Sequence, residues 1–382
     1  MHYVEGNRLL LLRNGEQYFP ALVEAIEGAR REVFVESYIY ADDQTGSLVT
    51  DALARAAARG ASVHLLVDGF GSRGFAPRFR RMLARAGARF LVYRPNISPW
   101  TLRRDRLRRM HRKLACVDGR VAFVGGINIV DDYDGPDPAP PRADYAVRIE
   151  GPLTATVRAE AAALWERVAG RSGRATQAQA PAPLGSFPDG TRAALVVRDS
   201  VRHRRDIERA YLASIDAARE EVVIANAYFF PGRRFRQALL RAAHRGVRVV
   251  LLLQGRVEYL LQHYASRALY GALLDAGIEI HEYRRGFLHA KVAVFDCCRA
   301  SVGSTNIDPF SLLLAREANV FVDDARFAAG LRASLEEAMR VGASRLAALQ
   351  WKRQPLWERV LTWCGYGIAR LLISFAGYER YH

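Results

Sequence analysis

Apolar and polar positions along this chain switch repeatedly between a helical period and short apolar runs. Ala52 to Arg59 sets Ala and Leu on one face with Arg between them. Gly60 closes the helix, and Val63 to Val67 then runs almost continuously apolar up to Asp68-Gly69. That is the pattern of a helix capped by Gly and followed by a strand covered on both faces. The passage recurs as Ala238 to Arg245, Gly246, and Val249 to Leu253 ahead of Gln254-Gly255, at an offset of 186. Leu83-Ala-Arg-Ala-Gly87 with Tyr93-Arg94 recurs as Leu273-Leu-Asp-Ala-Gly277 with Tyr283-Arg284, and Glu32 to Tyr38 answers Glu221 to Tyr228 to within one residue.

Repeats in the same order predict a duplicated domain, and the alternation of strands with helices predicts an α/β fold with a mixed sheet in each copy. The first copy is read as residues 1–170 and the second as 193–345. Residues 171–192, rich in Ala, Pro, Gly, Ser and Gln without apolar periodicity, read as the linker. Residues 346–382 form a separate tail.

A shorter pattern is repeated more strictly. His111-Arg-Lys113 with Asp118 and His289-Ala-Lys291 with Asp296 both read HxKxxxxD. Gly125-Gly-Ile-Asn128 follows the first and Gly303-Ser-Thr-Asn306 the second, every position at an offset of 178. Each His and Lys opens a strand, Leu114 to Val117 or Val292 to Phe295, so the two side chains are expected on one face. The small-residue pair lets backbone come close to a ligand, and the Asn adds an amide donor. Two clusters facing across a pseudo-twofold interface would give one pocket with two His, two Lys and two Asn.

Composition sharpens this picture. The chain has 56 Lys plus Arg, but only three are Lys, and two of those lie in the repeated motif. An Arg-rich chain that keeps Lys there calls for a compact ammonium. A formal net charge of +16 predicts attraction to polyanions, either nucleic acid or an anionic bilayer. Cys116, Cys297, Cys298 and Cys364 have no metal-ligand spacing and read as reduced thiols, with Cys116 in the core. No metal site is expected. Leu9 to Leu12 is too short an apolar run for a secretory signal, and no uncharged apolar stretch is long enough for a confident membrane span. His64, His203 and His244 have no counterparts in the repeat and read as packing or surface residues.

The doubled motif with its downstream Asn resembles the phospholipase D superfamily over nearly the whole chain to about residue 345. Glu36 to Tyr40, Asn226 to Pro231, Glu282 to His289, Gly303 to Pro309 and Glu317 to Val320 further resemble bacterial cardiolipin synthases of the compact type. The resemblance implies two tandem pseudo-twofold-related phospholipase D-like domains with the active site at their interface. It also implies a ping-pong exchange without a cofactor: one His forms a phosphohistidine, and the other protonates the departing alkoxide and then deprotonates the incoming alcohol. We assign His111 as nucleophile and His289 as acid/base. Lys113, Lys291, Asn128 and Asn306 would hold the non-bridging oxygens and stabilise the transition state.

In such enzymes an acid opening a later strand orients each His. Asp144 and Glu317 occupy such positions, 33 and 28 residues past the His of their own half. Asp118 and Asp296 belong to the motif and are expected mainly to serve the fold as turn acids. Glu36, Asn226 and Ser304, in the family-like stretches, are expected to contact substrate.

The expected partners are anionic phospholipids, phosphatidylglycerol or phosphatidylethanolamine, and the membrane surface, with no nucleic acid and no protein partner. Trp100 with Arg103, Arg104, Arg106, Arg108, Arg109 and Arg112 could bind lipid headgroups or a nucleic-acid backbone beside His111. Trp351, Trp357 and Trp363 crowd the tail with Tyr366, Phe375, Tyr378 and Tyr381. Aromatic and Arg residues around short apolar runs suit a helix lying in the headgroup layer, although a helix docked on the protein's own core fits as well. The expected location is the cytoplasmic side of the bacterial inner membrane, attached peripherally. A hydrolytic phospholipase D, a nuclease of the same chemistry and a non-catalytic membrane scaffold are the alternatives.

Overall fold

The computed structural model describes residues 1–95, 108–133, 141–170, 185–199, 202–308, 315–353 and 355–375. Trp100, Arg103, Arg104, Arg106, Tyr378, Tyr381 and residues 171–184 of the expected linker lie outside the described residues.

The first half contributes β1 (Val4–Arg13), β2 (Glu32–Ser37), β3 (Ser62–Asp68), β4 (Arg89–Tyr93), β5 (Arg109–Met110), β6 (Lys113–Val117), β7 (Val121–Gly125) and β8 (Tyr145–Glu150). The second contributes β9 (Thr191–Arg198), β10 (Glu221–Asn226), β11 (Arg248–Gln254), β12 (Glu279–Tyr283), β13 (Lys291–Phe295), β14 (Arg299–Gly303), β15 (Ala315–Asp323) and β16 (Ala343–Arg345). β9 begins inside the segment read as linker.

Strand order in the first half is β1-β8-β7-β6-β2-β3-β4, and in the second β9-β15-β14-β13-β10-β11-β12, closed by β16. The two orders match strand for strand. Within each, β2-β3-β4 and β10-β11-β12 are parallel and the remaining neighbours antiparallel, so each half is the expected mixed sheet. One feature was not expected. β1 also pairs with β9, at Val4↔Ala193 and Asn7↔Thr191, which joins both halves into a single 16-stranded sheet.

Burial divides the molecule into layers. The outer face of the first sheet packs on helices Asn14–Glu27, Gln44–Ala58 and Pro77–Arg85 through Leu22, Ile26, Leu53, Leu65 and Phe79. The second sheet does the same with Asp206–Ala217 and Arg233–His244 through Ile215, Leu239, Leu251 and Phe295. Inner faces of both sheets share one core with the long helices Leu153–Val168 and Ala325–Gly342, where Leu66, Val147 and Trp165 join Val250, Val302 and Leu331. Fusing two inner faces removes apolar surface from water on both sides at once, so the halves form one unit around the interface.

The tail helix Leu356–Phe375 docks on helix Leu260–Arg267. Thr362, Gly365 and Ala369 are buried at helical spacing, and Ala369 packs with Phe230, Ala265 and Leu269. Trp357, Val360, Trp363, Ile368 and Leu371 stay exposed, as do Leu260 and Leu261 of the helix it docks on. A narrow small-residue face of the tail thus packs on the protein, and a broad aromatic face remains outside. No helix among the described residues is long and apolar enough to cross a membrane.

Candidate active site

Each motif His stands just before its strand, since β6 begins at Lys113 and β13 at Lys291. The segments carrying them are fixed by the opposite half. β5 pairs in parallel with β15, and His111 N donates to Arg316 O at 3.0 Å. Leu288 bridges Ala143, and His289 N donates to Ala143 O at 2.9 Å.

This backbone pairing sets each imidazole beside the acid of the other half. His111 Nδ1 lies 3.0 and 3.1 Å from the Glu317 carboxylate oxygens. His289 Nδ1 lies 2.5 Å from Asp144 Oδ2. Asp144 stands just before β8, whereas Glu317 is the third residue of β15 and does not open it, and the two acids cross over. Both are buried, while the His side chains keep 13% and 18% exposure, which leaves the rings reachable from outside.

The acids are seated differently. A Cβ on Gly126 would fall 2.2 Å from Asp144 Oδ1, so Gly126 makes room for this carboxylate instead of a ligand, while Gly125 lies against Tyr145 and Ala146. Ser304 takes the place of Gly126 in the second motif. Its hydroxyl donates to Glu317 Oε2 at 2.5 Å and accepts from Ala318 N at 3.1 Å.

The lysines complete the cluster. Lys113 Nζ donates to His111 O at 2.6 Å and lies 5.2 Å from the Tyr38 ring centroid, and that ring also meets His111 edge-on. Lys291 Nζ donates to His289 O, and it lies 2.8 Å from His289 Nδ1 and 3.8 Å from Asp144 Oδ2. Burial and the neighbouring Lys291 bring Lys113 down to about 7. Burial brings Lys291 to about 8, against the raising pull of Asp144 and Glu317. Burial likewise lowers both His, keeping the imidazoles neutral at neutral pH. Burial pushes Asp144 up, but Lys291 and His289 outweigh it and hold the carboxylate low. Two ammonium groups confined together with little water favour an anion between them.

Asn128 and Asn306 are buried at the ends of the motifs. Asn128 Oδ1 accepts from Ile39 N at 3.1 Å, which fixes the amide and leaves its Nδ2 as a donor. Asn306 Oδ1 has no partner among the described residues.

Several expected site residues lie elsewhere. Glu36 is buried in a bidentate pair with Arg112, at 2.5 and 2.8 Å, so neither can meet a headgroup. Asn226 is buried and accepts from Ile307 N at 3.1 Å, holding the backbone after Asn306. Ser304 contacts Glu317, not a substrate position. Asp118 and Asp296 sit beyond the far ends of β6 and β13, about 16 Å from the lysines at 3.3 Å per residue. Both adopt positive φ, and their carboxylates accept from the amides of Arg30, Arg31 and Glu32, or of Arg219, Glu220 and Glu221. They tie the turn leading into β2 or β10, a fold role between segments distant in sequence. Arg109 stacks on Phe70, with its guanidinium carbon 4.5 Å from the ring centroid. His64 is buried against Phe34 and Trp165, and His203 pairs with Asp206 at the surface.

One supporting pair went unread in the sequence. Asp68 Oδ2 accepts from Met110 N at 2.7 Å, and Gln254 Oε1 accepts from Leu288 N at 3.1 Å. Each acceptor ends a repeated strand and pins the residue before the motif His. Their matched place before Gly69 and Gly255 was the available signal. Among the described residues no group of His, Cys, Asp or Glu could hold a metal ion.

Comparison with known proteins agrees with this architecture. The family described as cardiolipin synthase, PLD-like domain, matches residues 22–133 and 211–339. The chain is 38% identical to cardiolipin synthase B of Escherichia coli K12 over 379 residues, 99% of this chain and 91% of that protein. It is 41% identical to cardiolipin synthase B of Salmonella typhimurium over 334 residues, 87% of this chain and 80% of that protein. Phosphatidylserine synthase of Haemophilus influenzae shares the fold with a TM-score of 0.68 and 12% identity, covering 95% of this chain and 93% of that one. A duplicated sheet, a doubled motif and near full-length similarity converge: this chain belongs to the bacterial cardiolipin synthases of the phospholipase D superfamily.

Proposed function

We propose that the chain joins two phosphatidylglycerol molecules into cardiolipin and glycerol through a phosphohistidine on His111. Its nucleophilic nitrogen attacks the donor phosphorus, the bond from phosphorus to the glycerol headgroup breaks, and His289 gives its Nε2 proton to the departing alkoxide while Lys291, 2.8 Å from Nδ1, returns one to the ring. His289 then removes the proton from a hydroxyl of the second phosphatidylglycerol, whose oxygen takes the phosphatidyl group and frees His111. Lys113, Lys291, Asn128 and Asn306 hold the non-bridging oxygens while charge builds on them.

The observation that carries this reading is the crossed pairing of two imidazoles with two carboxylates around two ammonium groups. The two His environments also differ. Among the described residues Nδ1 of His111 faces only the Glu317 carboxylate, which favours a proton there and leaves Nε2 with its lone pair. Nδ1 of His289 faces both Asp144 and the Lys291 ammonium, so it can donate to one or accept from the other. A ring free to change its protonation suits the acid/base role, and one fixed in a single tautomer suits the nucleophile.

Attachment to the membrane surface fits the same function. The exposed Trp, Val, Ile and Leu of the tail helix, with Arg359 and Arg370 exposed on that helix, suit an anionic headgroup layer. Because this helix docks on helix Leu260–Arg267, the layer would be held to the second half. The inner membrane is the location this supports. Incubation with labelled phosphatidylglycerol tests the activity. Cardiolipin with equimolar glycerol is expected; phosphatidic acid alone would make the protein a hydrolase, and cleavage of single-stranded DNA with untouched lipid would make it a nuclease.

A further inference from the structure

A pocket beside His289 has no part in the chemistry described above. It lies between the end of β11, the segment after β10 and helix Leu260–Arg267. Tyr228, Gln254, Arg256, Glu258, Gln262 and His263 supply its polar lining.

Three observations make it a binding place. The Tyr228 hydroxyl donates to the Glu258 carboxylate, putting a strong acceptor at the rim. Gln254 is held by its oxygen to the Leu288 amide, one residue before His289, while its Nε2 is buried with no partner among the described residues. A buried donor left without an acceptor is costly, so a ligand oxygen there is favoured. Third, the two halves differ here: Asp68 and Ser72 stand where the second half has Gln254 and Glu258, and Arg73 and Arg109 stack on Phe70, at 4.2 and 4.5 Å, where Arg256 lies over Phe287 at 5.5 Å.

A carboxylate at this rim, with the Arg256 guanidinium in the same lining, attracts hydroxyl donors. We propose that this pocket recognises the polyol headgroup of the incoming alcohol: a vicinal diol whose hydroxyls meet Glu258, Tyr228 and Gln254 Nε2 while another hydroxyl faces His289. The assignment rests on the reading of His289 as the base that activates the acceptor. It places the acceptor on the His289 side of the site through Glu258, Tyr228 and Gln254, whose places Ser72, Tyr38 and Asp68 take on the His111 side.

Headgroup exchange with free alcohols tests this in the full-length protein. Phosphatidylglycerol in detergent micelles is offered labelled glycerol or 1-propanol, and transfer to each is measured against release of phosphatidic acid. Wild type is expected to prefer glycerol. Glu258→Gln and Tyr228→Phe should each raise KM for glycerol about tenfold, in line with one hydrogen bond to a charged group. They should retain transfer to 1-propanol and divert more product to phosphatidic acid. An unchanged preference in both variants overturns the proposal. So does loss of transfer to both alcohols alike, since that places these residues in the chemistry or the fold. Failure of wild type to transfer to any alcohol removes instead the underlying reading of a transferase.

Discussion

Replacing Glu317 with Gln removes one charge from the site and almost no volume. The carboxylate is buried and accepts from His111 Nδ1 and the Ser304 hydroxyl. An amide can satisfy one of them, and its NH2 faces the other as a donor. When His111 takes the phosphatidyl group the ring becomes cationic, and Glu317 is the charge that offsets it. An imidazolium and a carboxylate about 4 Å apart attract by about 4 kcal/mol at an effective dielectric constant of about 20. A hydrogen bond to a charged partner contributes about 1.5–3 kcal/mol net. A loss of about 3–4 kcal/mol is therefore expected, or a fall in kcat of about 10²–10³-fold, with little change in KM. Arg198 lies opposite Glu317 across β9 and β15 and loses a favourable charge, so rates are to be compared well below the thermal midpoint.

A phosphatidyl ester of p-nitrophenol separates the steps, because its leaving group departs without a proton. Asp144→Asn and His289→Ala should still release about one nitrophenolate per enzyme in a burst, whereas Glu317→Gln should form the intermediate slowly. A Glu317→Gln enzyme within about threefold of wild type would refute the reasoning from crossed pairs, because it asks that carboxylate for at least about 3 kcal/mol. A burst lost in Asp144→Asn and kept in Glu317→Gln would exchange the roles of the two His.

Other outcomes are expected. With burial bringing Lys113 down to about 7 and Lys291 to about 8, both are charged below those values, so kcat/KM should fall as pH rises through roughly 7 to 8. Its acid limb should lie below the ordinary His value of 6.5, because burial lowers His111, and a pH profile on dilute substrate reads both limbs. Arg112→Met leaves Glu36 buried and unpaired and should destabilise the fold by about 3–5 kcal/mol in denaturant titration, while removal of both charges together should restore much of that. Trp363→Asp should weaken co-sedimentation with phosphatidylglycerol vesicles about tenfold or more, the scale of one large apolar side chain withdrawn from the interface, with unchanged thermal unfolding. Exhaustive chelation should leave activity intact, since the two ammonium groups supply the positive charge; loss restored by a divalent ion would contradict this.

The repeat was legible because each copy buries the same strands on both faces, and that demands matching apolar runs such as Val63 to Val67 and Val249 to Leu253. The motif residues were legible because chemistry limits their type. Partnerships were not: His111 and Glu317 are 206 residues apart, and counting along the chain relates each acid to the wrong ring. Glu36 looked like a site residue from its family-like stretch, but only the fold reveals that Arg112 turns inward to meet it. Gly126 and Ser304 fill one structural position with different solutions, so the same alignment column suggested a ligand contact where an acid is seated. The β1–β9 junction rests on two backbone pairings, Val4↔Ala193 and Asn7↔Thr191, that leave no side-chain signature.

Because each motif imidazole borrows its carboxylate from across the interface, neither half is a smaller version of the whole. Severed at the connecting segment, each would retain a ring with no counter-charge, and only reassociation would return a working centre. The reciprocal loan thus makes the working centre a property of both halves together, not of either one.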